Sequence, residues 1–161
     1  MIFVLLAALA AQAPTAAAPP ACAAAEHRQF DFWVGRWDVY PTGTERLVAH
    51  SLIERLYGDC VIRESWMPLR GGGGSSLNSW RPGERRWRQL WADSANSWAE
   101  FSGGLEGEAM VLIAGEGRTR SRMTYSRQPG GAVRQLVEQT NDGGATWAAQ
   151  YDFTYRPAAA P

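Results

Sequence analysis

Polar side chains alternate with tryptophans between residues 64 and 100 of this chain. Because residues two apart on a β-strand lie on the same face of a sheet, each such pair would present an indole ring beside a carboxyl or amide group. Small-molecule sites are usually lined by apolar and aromatic walls that carry a few convergent polar groups. If these faces point inward, the pattern predicts a ligand pocket. The predicted pocket residues are Glu64, Trp66, Asn78, Trp80, Trp87, Gln89, Trp91, Trp98 and Glu100.

One more polar group is expected from a later strand. Gln135 and Glu138 lie an odd number of residues apart, so they point to opposite faces and only one of them faces inward. We assign Glu138 to the pocket.

The same tryptophans also suit a filled core. Each buried indole would contribute roughly 4–6 kcal/mol of gross burial energy. In that case the polar partners would lie at strand ends, or β-bulges would turn them outward. Both interpretations stay open, because an inward glutamate is costly unless it is paired or functional.

Two carboxylates are the only candidates for catalysis. Burial raises the pKa of a carboxyl group towards neutrality, so Glu64 and Glu100 could serve as acid and base. His27 and His50 are the only histidines, and no pair of metal-ligand spacing is present. Zinc and c-type haem therefore have no ligand set, and we predict neither a metal nor another cofactor.

The strands that would position these residues are short and regularly spaced. From residue 35 onward, turn signals recur about every ten residues, which is typical of a sandwich or barrel. Gly103 and Gly104 are one such turn signal. The predicted strands are 36–40, 46–56, 60–67, 75–81, 85–93, 97–102, 106–114, 118–127, 132–140 and 146–156.

Ten antiparallel strands with short connections favour a closed barrel over a two-sheet sandwich, because closure removes the free edges. We therefore expect an all-β, antiparallel barrel of about 8–10 strands. Only residues 26–33 have a helical pattern, and this short N-terminal helix could plug one end of the barrel.

The first 25 residues carry no charge and form a separate segment. Residues 2–11 are an apolar run too short to span a bilayer, and two A-x-A sites follow, at 11–13 and 21–23. This pattern resembles a secretory signal peptide with a Pro/Ala-rich spacer. We expect a single domain over residues 26–157, a tail over 158–161, and a periplasmic or secreted protein.

The two cysteines, Cys22 and Cys60, leave alternatives open. Cleavage before Cys22 would allow a Cys22–Cys60 disulfide in an oxidising compartment, whereas cleavage after Cys22 would leave Cys60 as a lone thiol. A lipid anchor at Cys22 is not favoured, since Pro20 and Ala21 match a lipidation signal poorly.

The 16 basic residues, all arginine, balance 16 acidic residues. A nucleic-acid partner is therefore not expected, because it needs a basic excess. A small molecule is the expected partner, and the oligomeric state is open.

Gly35 and Trp37, at the start of the first predicted strand, resemble the G-x-W signature of lipocalins and other calycins. This resemblance implies a calycin barrel in which Trp37 packs at the barrel floor against an arginine near the last strand. Arg156 matches that position. Some calycin-like barrels similar to nitrobindin bind haem through a late histidine, and nothing after His50 could do so here.

Residues 140–147 fit the Asp-box pattern, T-x-D-x-G-x-T-W. In sialidase propellers this motif is a hairpin device, in which the aspartate accepts backbone hydrogen bonds across the turn and the tryptophan packs beneath it. It implies structural roles for Asp142 and Trp147 and no glycosidase activity, since one copy cannot form a propeller.

A narrower resemblance covers nearly all of the chain after residue 25. The segments F-D-F-W-x-G-x-W at 30–37, G-D-C-V-I-R-E at 58–64, W-R-Q-L-W-A-D at 87–93 and D-G-G-x-T-W at 142–147 look like an uncharacterised family of secreted bacterial proteins. That family is a domain of unknown function related to calycins. The resemblance supports the fold and implies no activity.

Three functions remain in competition. The favoured hypothesis is an exported protein that binds a small apolar or aromatic ligand in a tryptophan-lined barrel. The first alternative is an isomerase, cyclase or lyase that uses Glu64 or Glu100 as its base. The second alternative is an envelope protein with a filled core. Whether the barrel is hollow separates the last hypothesis from the other two.

Overall fold

The computed structural model describes residues 22–159, in which the chain forms a closed antiparallel barrel of ten strands. Each strand pairs with its sequence neighbours, and β1 pairs with β10, so the sheet has no free edge. Residues 1–21 of the predicted signal peptide and spacer, and residues 160–161 of the predicted tail, lie outside the described part. The strands are β1 (Gly35–Pro41), β2 (Ala49–Leu56), β3 (Val61–Pro68), β4 (Gly74–Arg81), β5 (Arg86–Asp93), β6 (Trp98–Glu106), β7 (Ala109–Glu116), β8 (Thr119–Arg127), β9 (Val133–Thr140) and β10 (Ala148–Pro157).

The predicted all-β barrel is confirmed, and one predicted turn is wrong. Gly103 and Gly104 lie inside β6, and the β6–β7 turn falls at Gly107 and Glu108 instead. Gly107 has a φ of 60°, which favours glycine at a tight turn. A Cβ on Gly103 would collide with the backbone carbonyl of Val111. Glycine at position 103 therefore allows β6 and β7 to approach closely, and it does not form a turn.

The predicted N-terminal plug is confirmed as two short 3₁₀ helices, Ala25–Arg28 and Asp31–Trp33. Phe30 and Trp33 are fully buried, with ring centroids 4.9 Å apart. Trp33 also lies 4.7 Å from the ring of Tyr125, inside the barrel. The helices close the end of the barrel at which β1 begins, which we call the closed end; the opposite end is the open end. Among residues 22–159, no helix is long and apolar enough to cross a membrane.

The expected contact between Trp37 and Arg156 is not formed, because the two side chains lie on opposite faces of the sheet. Trp37 is buried beside Tyr155, and its Nε1 donates to the carbonyl oxygen of Trp33 at 2.9 Å. Arg156 lies outside, paired with Glu45 and 4.4 Å from the ring centroid of Tyr40. Trp37 thus packs at the closed end without an arginine.

The structure places Asp142 in a hydrogen-bonded turn between β9 and β10. Its Oδ1 accepts from the backbone N–H of Thr146 at 2.9 Å and from the Thr140 hydroxyl at 2.7 Å. These bonds, with one from the Thr146 hydroxyl, lower the pKa of Asp142. Trp147 lies on the outer surface, 4.3 Å from the guanidinium carbon of Arg122. Asp142 and Trp147 therefore stabilise a hairpin at the open end.

A disulfide joins Cys22 to Cys60 in the β2–β3 turn. Nearby, Arg28 pairs with Asp59, and Arg55 donates to the carbonyl oxygen of His27. These links fasten the N-terminal segment to the closed end. Of the alternatives for Cys22, the lipid anchor and this disulfide exclude each other, because both need the same sulfur.

We expect the Cys22→Ser/Cys60→Ser double variant to lose about 4 kcal/mol of unfolding free energy, because the disulfide closes a loop of 38 residues. Denaturant unfolding of oxidised wild type and of the variant measures the difference. Reduced wild type should unfold like the variant. Equal stability of the oxidised and reduced proteins would contradict a structural role of this bond.

Candidate ligand-binding site

The barrel is hollow above its plug. A cavity of about 370 Å³ begins near mid-barrel and extends to the open end. Its polar floor is formed by Glu64, Gln89, Tyr125, Gln135 and Tyr155. Its walls are mainly Trp66, Trp91, Phe101, Met123, Val137 and Phe153, and its mouth carries Asp93 and Tyr151.

The period-two pattern of the strands positions the floor. On β3, Glu64 and Trp66 point inward, while Arg63 points outward and forms a salt bridge with Glu54. Asn78 on β4 and Gln89 on β5 are buried opposite each other, one inward position closer to the closed end than Ser76, which lies opposite Glu64. These three strands therefore bring together Glu64, Asn78 and Gln89, three of the polar residues that the sequence pattern predicted for the pocket.

Glu64 is the central group of the floor and is only 3% exposed. Its Oε1 accepts hydrogen bonds from the hydroxyls of Ser51 at 3.1 Å and Tyr155 at 3.3 Å, and its Oε2 accepts from Ser76 at 3.2 Å. Burial raises the pKa of Glu64 to about 7, and the three hydroxyl donors limit that rise. Glu64 therefore changes charge near neutral pH.

Side-chain amides extend this network across the barrel; among them, the predicted pocket residue Asn78 is buried behind the floor and does not line the cavity. Asn78 Nδ2 donates to the Ser76 hydroxyl at 3.0 Å, and Gln89 Nε2 donates to Asn78 Oδ1 at 2.7 Å. On the far side, the Tyr155 hydroxyl lies 2.8 Å from Gln135 Oε1, so its single proton is shared between Gln135 and Glu64. The side chains that surround Glu64 are thus held in place by one another.

Tyr125 completes the ring of polar groups. Its hydroxyl accepts from Gln135 Nε2 at 3.0 Å and from Gln89 Nε2 at 3.3 Å. Burial and the nearby Glu64 carboxylate raise the pKa values of both Tyr125 and Tyr155, so the two phenols stay neutral while Glu64 titrates.

The aromatic walls are fixed by packing and by one hydrogen bond. The ring centroid of Trp66 lies 5.7 Å from that of Phe153 and 6.3 Å from that of Tyr155. Trp91 Nε1 donates to Asp93 Oδ2 at 3.0 Å. A Cβ on Gly74 would lie 2.5 Å from the Trp91 ring, so glycine there leaves room for the indole.

Asp93 ties the mouth to the adjacent turn. Its Oδ1 accepts from the backbone N–H groups of Ala95 and Ser97 at 2.9 and 3.0 Å. With the bond from Trp91, these donors lower the pKa of Asp93. The mouth therefore carries a negative charge at neutral pH.

A bulge in β10 adds Tyr151 to the mouth. The register between β9 and β10 shifts between Ala149 and Tyr151, so that Tyr151 lies opposite the inward residue Val137. Its ring is stacked on Phe153 and remains 60% exposed. Without the extra residue, Gln150 would occupy this inward position.

Three predicted pocket residues, Trp98, Glu100 and Glu138, point outward and do not line the cavity. Ala99 lies opposite the inward Trp91, so Trp98 and Glu100 share the outer face of β6. Trp98 is 67% exposed. Glu138 forms a salt bridge with Arg122 outside the barrel at 2.8 Å. Gln135, which we placed outside, is the inward polar residue of β9.

Trp80 and Trp87 point inward but lie at the closed end, below the cavity. Trp87 is 2% exposed, packs edge-on against Phe30, and donates from Nε1 to Gln29 Oε1 at 3.1 Å. Trp80 lies opposite Trp87 on β4 and packs against the same core. For these two tryptophans, core filling is the correct interpretation.

Sequence reasoning missed the aromatic residues of the last strands. Tyr151, Phe153 and Tyr155 recur at a spacing of two, which is the signal that could have found them. Tyr125 has the same spacing relative to Met123, but its contacts with Gln89 and Gln135 follow only from the closed barrel.

Within residues 22–159, no group of three or more His, Cys, Asp or Glu side chains is arranged to hold a metal ion. The chain matches no model of a known protein family and no curated protein. The resemblance to the secreted family that begins with F-D-F-W-x-G-x-W therefore stays a prediction.

The buried carboxyl of Glu64 makes the stability of the barrel depend on pH. Because folding raises its pKa from 4.5 to about 7, the folded state keeps a proton that the unfolded state releases. This stabilisation is complete below pH 4.5 and is lost as the pH rises through about 7. We expect a loss of about 3 kcal/mol in unfolding free energy across this window.

Denaturant unfolding at a series of pH values measures this loss against two variants. Glu64→Gln should lack it, whereas Glu100→Gln, which changes an outward carboxylate, should keep the wild-type profile. Parallel profiles for wild type and Glu64→Gln would contradict the raised pKa of Glu64.

Proposed function

We propose that this protein binds one small, largely apolar or aromatic molecule inside its barrel. The observation that carries the proposal is the cavity of about 370 Å³ with aromatic walls and a hydrogen-bonded polar floor. Its volume lies within the range of small-molecule pockets, which are about 300–1,000 Å³. The apolar part of the ligand would lie between Trp66, Trp91 and Phe153, and its polar end would contact Glu64.

The hollow interior counts against a structural protein with a filled core. Protein interiors are normally close-packed, with few voids larger than a water molecule. The plug and the tryptophans of the closed end fill one half of this barrel in that way. Towards the open end the interior instead forms a cavity between large aromatic side chains, which supports a ligand site.

Binding of a neutral aromatic fluorophore, N-phenyl-1-naphthylamine, tests the pocket. We expect its fluorescence to rise on addition of the protein and to saturate at one site per chain, because the cavity excludes water from the probe. Ala99→Phe should abolish this signal, since Ala99 lies opposite Trp91 on the cavity wall.

The matched control is Ala92→Phe, which makes the same change beside Trp91 on the outer face of β5 and should bind the probe like wild type. Circular dichroism verifies that both variants fold. No saturable signal with wild type, or an equal signal with Ala99→Phe, would overturn the proposal.

A second candidate function is proton transfer on a bound carbonyl compound. It is favoured by the position of Glu64 on the cavity floor, with a pKa of about 7. In this scheme the Glu64 carboxylate removes a proton α to the carbonyl and returns it to the resulting enolate, at the same or another carbon.

Deuterium exchange distinguishes catalysis from binding alone. With phenylacetone in D₂O as the probe, wild type should accelerate replacement of the α-protons above pH 7, where Glu64 is ionised. Glu64→Gln should lose the acceleration, and Glu100→Gln should retain it. Exchange in the presence of wild type that is no faster than in buffer would remove this candidate and leave the binding proposal intact.

We also propose that the protein acts in the periplasm or outside the cell. The uncharged N-terminal segment supports export. The Cys22–Cys60 disulfide supports an oxidising compartment, where such bonds persist. The uncharacterised family of secreted bacterial proteins that the sequence resembles would also be consistent with this location.

A further inference from the structure

The residues that line the cavity carry one sign of charge only. Glu64 lies on the floor and Asp93 at the mouth, and none of the described lining residues is basic. None of the 16 arginines of the chain is among the residues that line the cavity. When Glu64 is ionised, the interior therefore presents two negative charges to a ligand that enters.

Carboxylates on the outer surface contrast with these two. Glu54, Asp59, Glu138 and Asp152 each form a salt bridge with an arginine. Within residues 22–159, neither Glu64 nor Asp93 forms a salt bridge. The cavity thus holds carboxylates that have hydrogen-bond donors around them and no cation of the protein beside them.

Glu64 retains capacity to accept another hydrogen bond. A carboxylate offers about four lone-pair sites, and three of them accept from Ser51, Tyr155 and Ser76. Because Glu64 also lines the cavity, the remaining site is available to an N–H donor of a ligand.

The aromatic walls suit a ligand whose N–H donor is a cation. Faces of tryptophan, tyrosine and phenylalanine attract cations within about 6 Å of the ring centroid, most strongly where water is excluded. Trp66, Trp91 and Tyr155 lie around the cavity beside Glu64. An anionic ligand would meet two carboxylates, and its charge would lack a basic partner.

We propose that the ligand of this barrel is an organic cation, namely an apolar or aromatic amine whose protonated nitrogen contacts Glu64 between the aromatic walls. This inference rests on the proposed binding function and adds the charge and chemical class of the ligand.

Binding of such a cation should depend on pH through Glu64. The titratable groups that face Glu64 are Tyr155 on β10 and Tyr125 on β8, while Ser51 on β2 and Ser76 on β4 are neutral. Since both phenols remain neutral, Glu64 is the one of these three groups that changes charge near pH 7. A bound ammonium favours the ionised carboxylate, so affinity should rise as the pH rises through about 7.

Three probes with the same indole ring and different charge test the inference. Tryptamine is a cation, 3-propylindole is neutral, and indole-3-propionate is an anion. Isothermal titration calorimetry above pH 7 should show tryptamine binding at least about tenfold more tightly than 3-propylindole, and no binding of indole-3-propionate. Tryptamine affinity should fall below pH 7, whereas that of 3-propylindole should not.

Glu64→Gln should bring tryptamine and 3-propylindole to similar affinity and remove the pH dependence, while 3-propylindole binding reports that the pocket is intact. Glu100→Gln, on the outer face, should keep the wild-type order. If the neutral or anionic probe binds wild type as tightly as tryptamine, the charge class is wrong and the binding function stands. If none of the three probes binds, this inference fails, and the fluorophore titration decides separately whether the binding function fails with it.

Discussion

The interior of this barrel is organised around the solvation of one buried carboxyl group. Glu64 is 3% exposed, and an isolated charge there would be costly. Ser51 and Ser76 donate to it from β2 and β4, the strands that flank β3, and Tyr155 donates from β10. Around the closed sheet, β10 is separated from β3 only by β1 and β2. Closure between β1 and β10 is therefore what brings the third donor to Glu64.

The closed end makes that arrangement stable by excluding water from below. Phe30 and Trp33 fill the barrel beneath the polar floor, and Trp33 contacts Tyr125, which belongs to the floor itself. The disulfide at Cys60 holds the N-terminal segment to this end. The plug thus positions the floor by direct packing, and the floor in turn defines where the cavity begins.

The sequence predicted the barrel well and the cavity in part, because the two depend on different information. Period-two alternation with regularly spaced turns is sufficient to predict ten strands. It also correctly placed Glu64 and Trp66 on the same face of one strand. It cannot state which face points inward, which is decided by the register between strands. Trp98 and Glu100 share a face as predicted, but Ala99 pairs with the inward Trp91 and so turns them outward. Tyr151 follows the spacing of two that it shares with Phe153 and Tyr155, but the bulge that places it opposite Val137 is not marked by any local pattern.

The cavity at the open end and the buried carboxyl of Glu64 both lower the stability of the folded barrel. This cost is the strongest reason to expect a function there. In mutational series, destabilisation grows by about 24 cal/mol per Å³ of cavity left in a core, and burial of Glu64 opposes its ionisation as well. A larger side chain in place of Ala99 would fill part of the cavity, and an amide in place of the Glu64 carboxyl would remove the buried ionisable group. Neither change would alter the alternation of inward and outward residues along the strands. Trp80 and Trp87 show that this fold fills its interior readily at the other end. Departures from stable packing are expected at functional sites. In this barrel the cavity is lined by Glu64, a buried carboxyl group that forms no salt bridge.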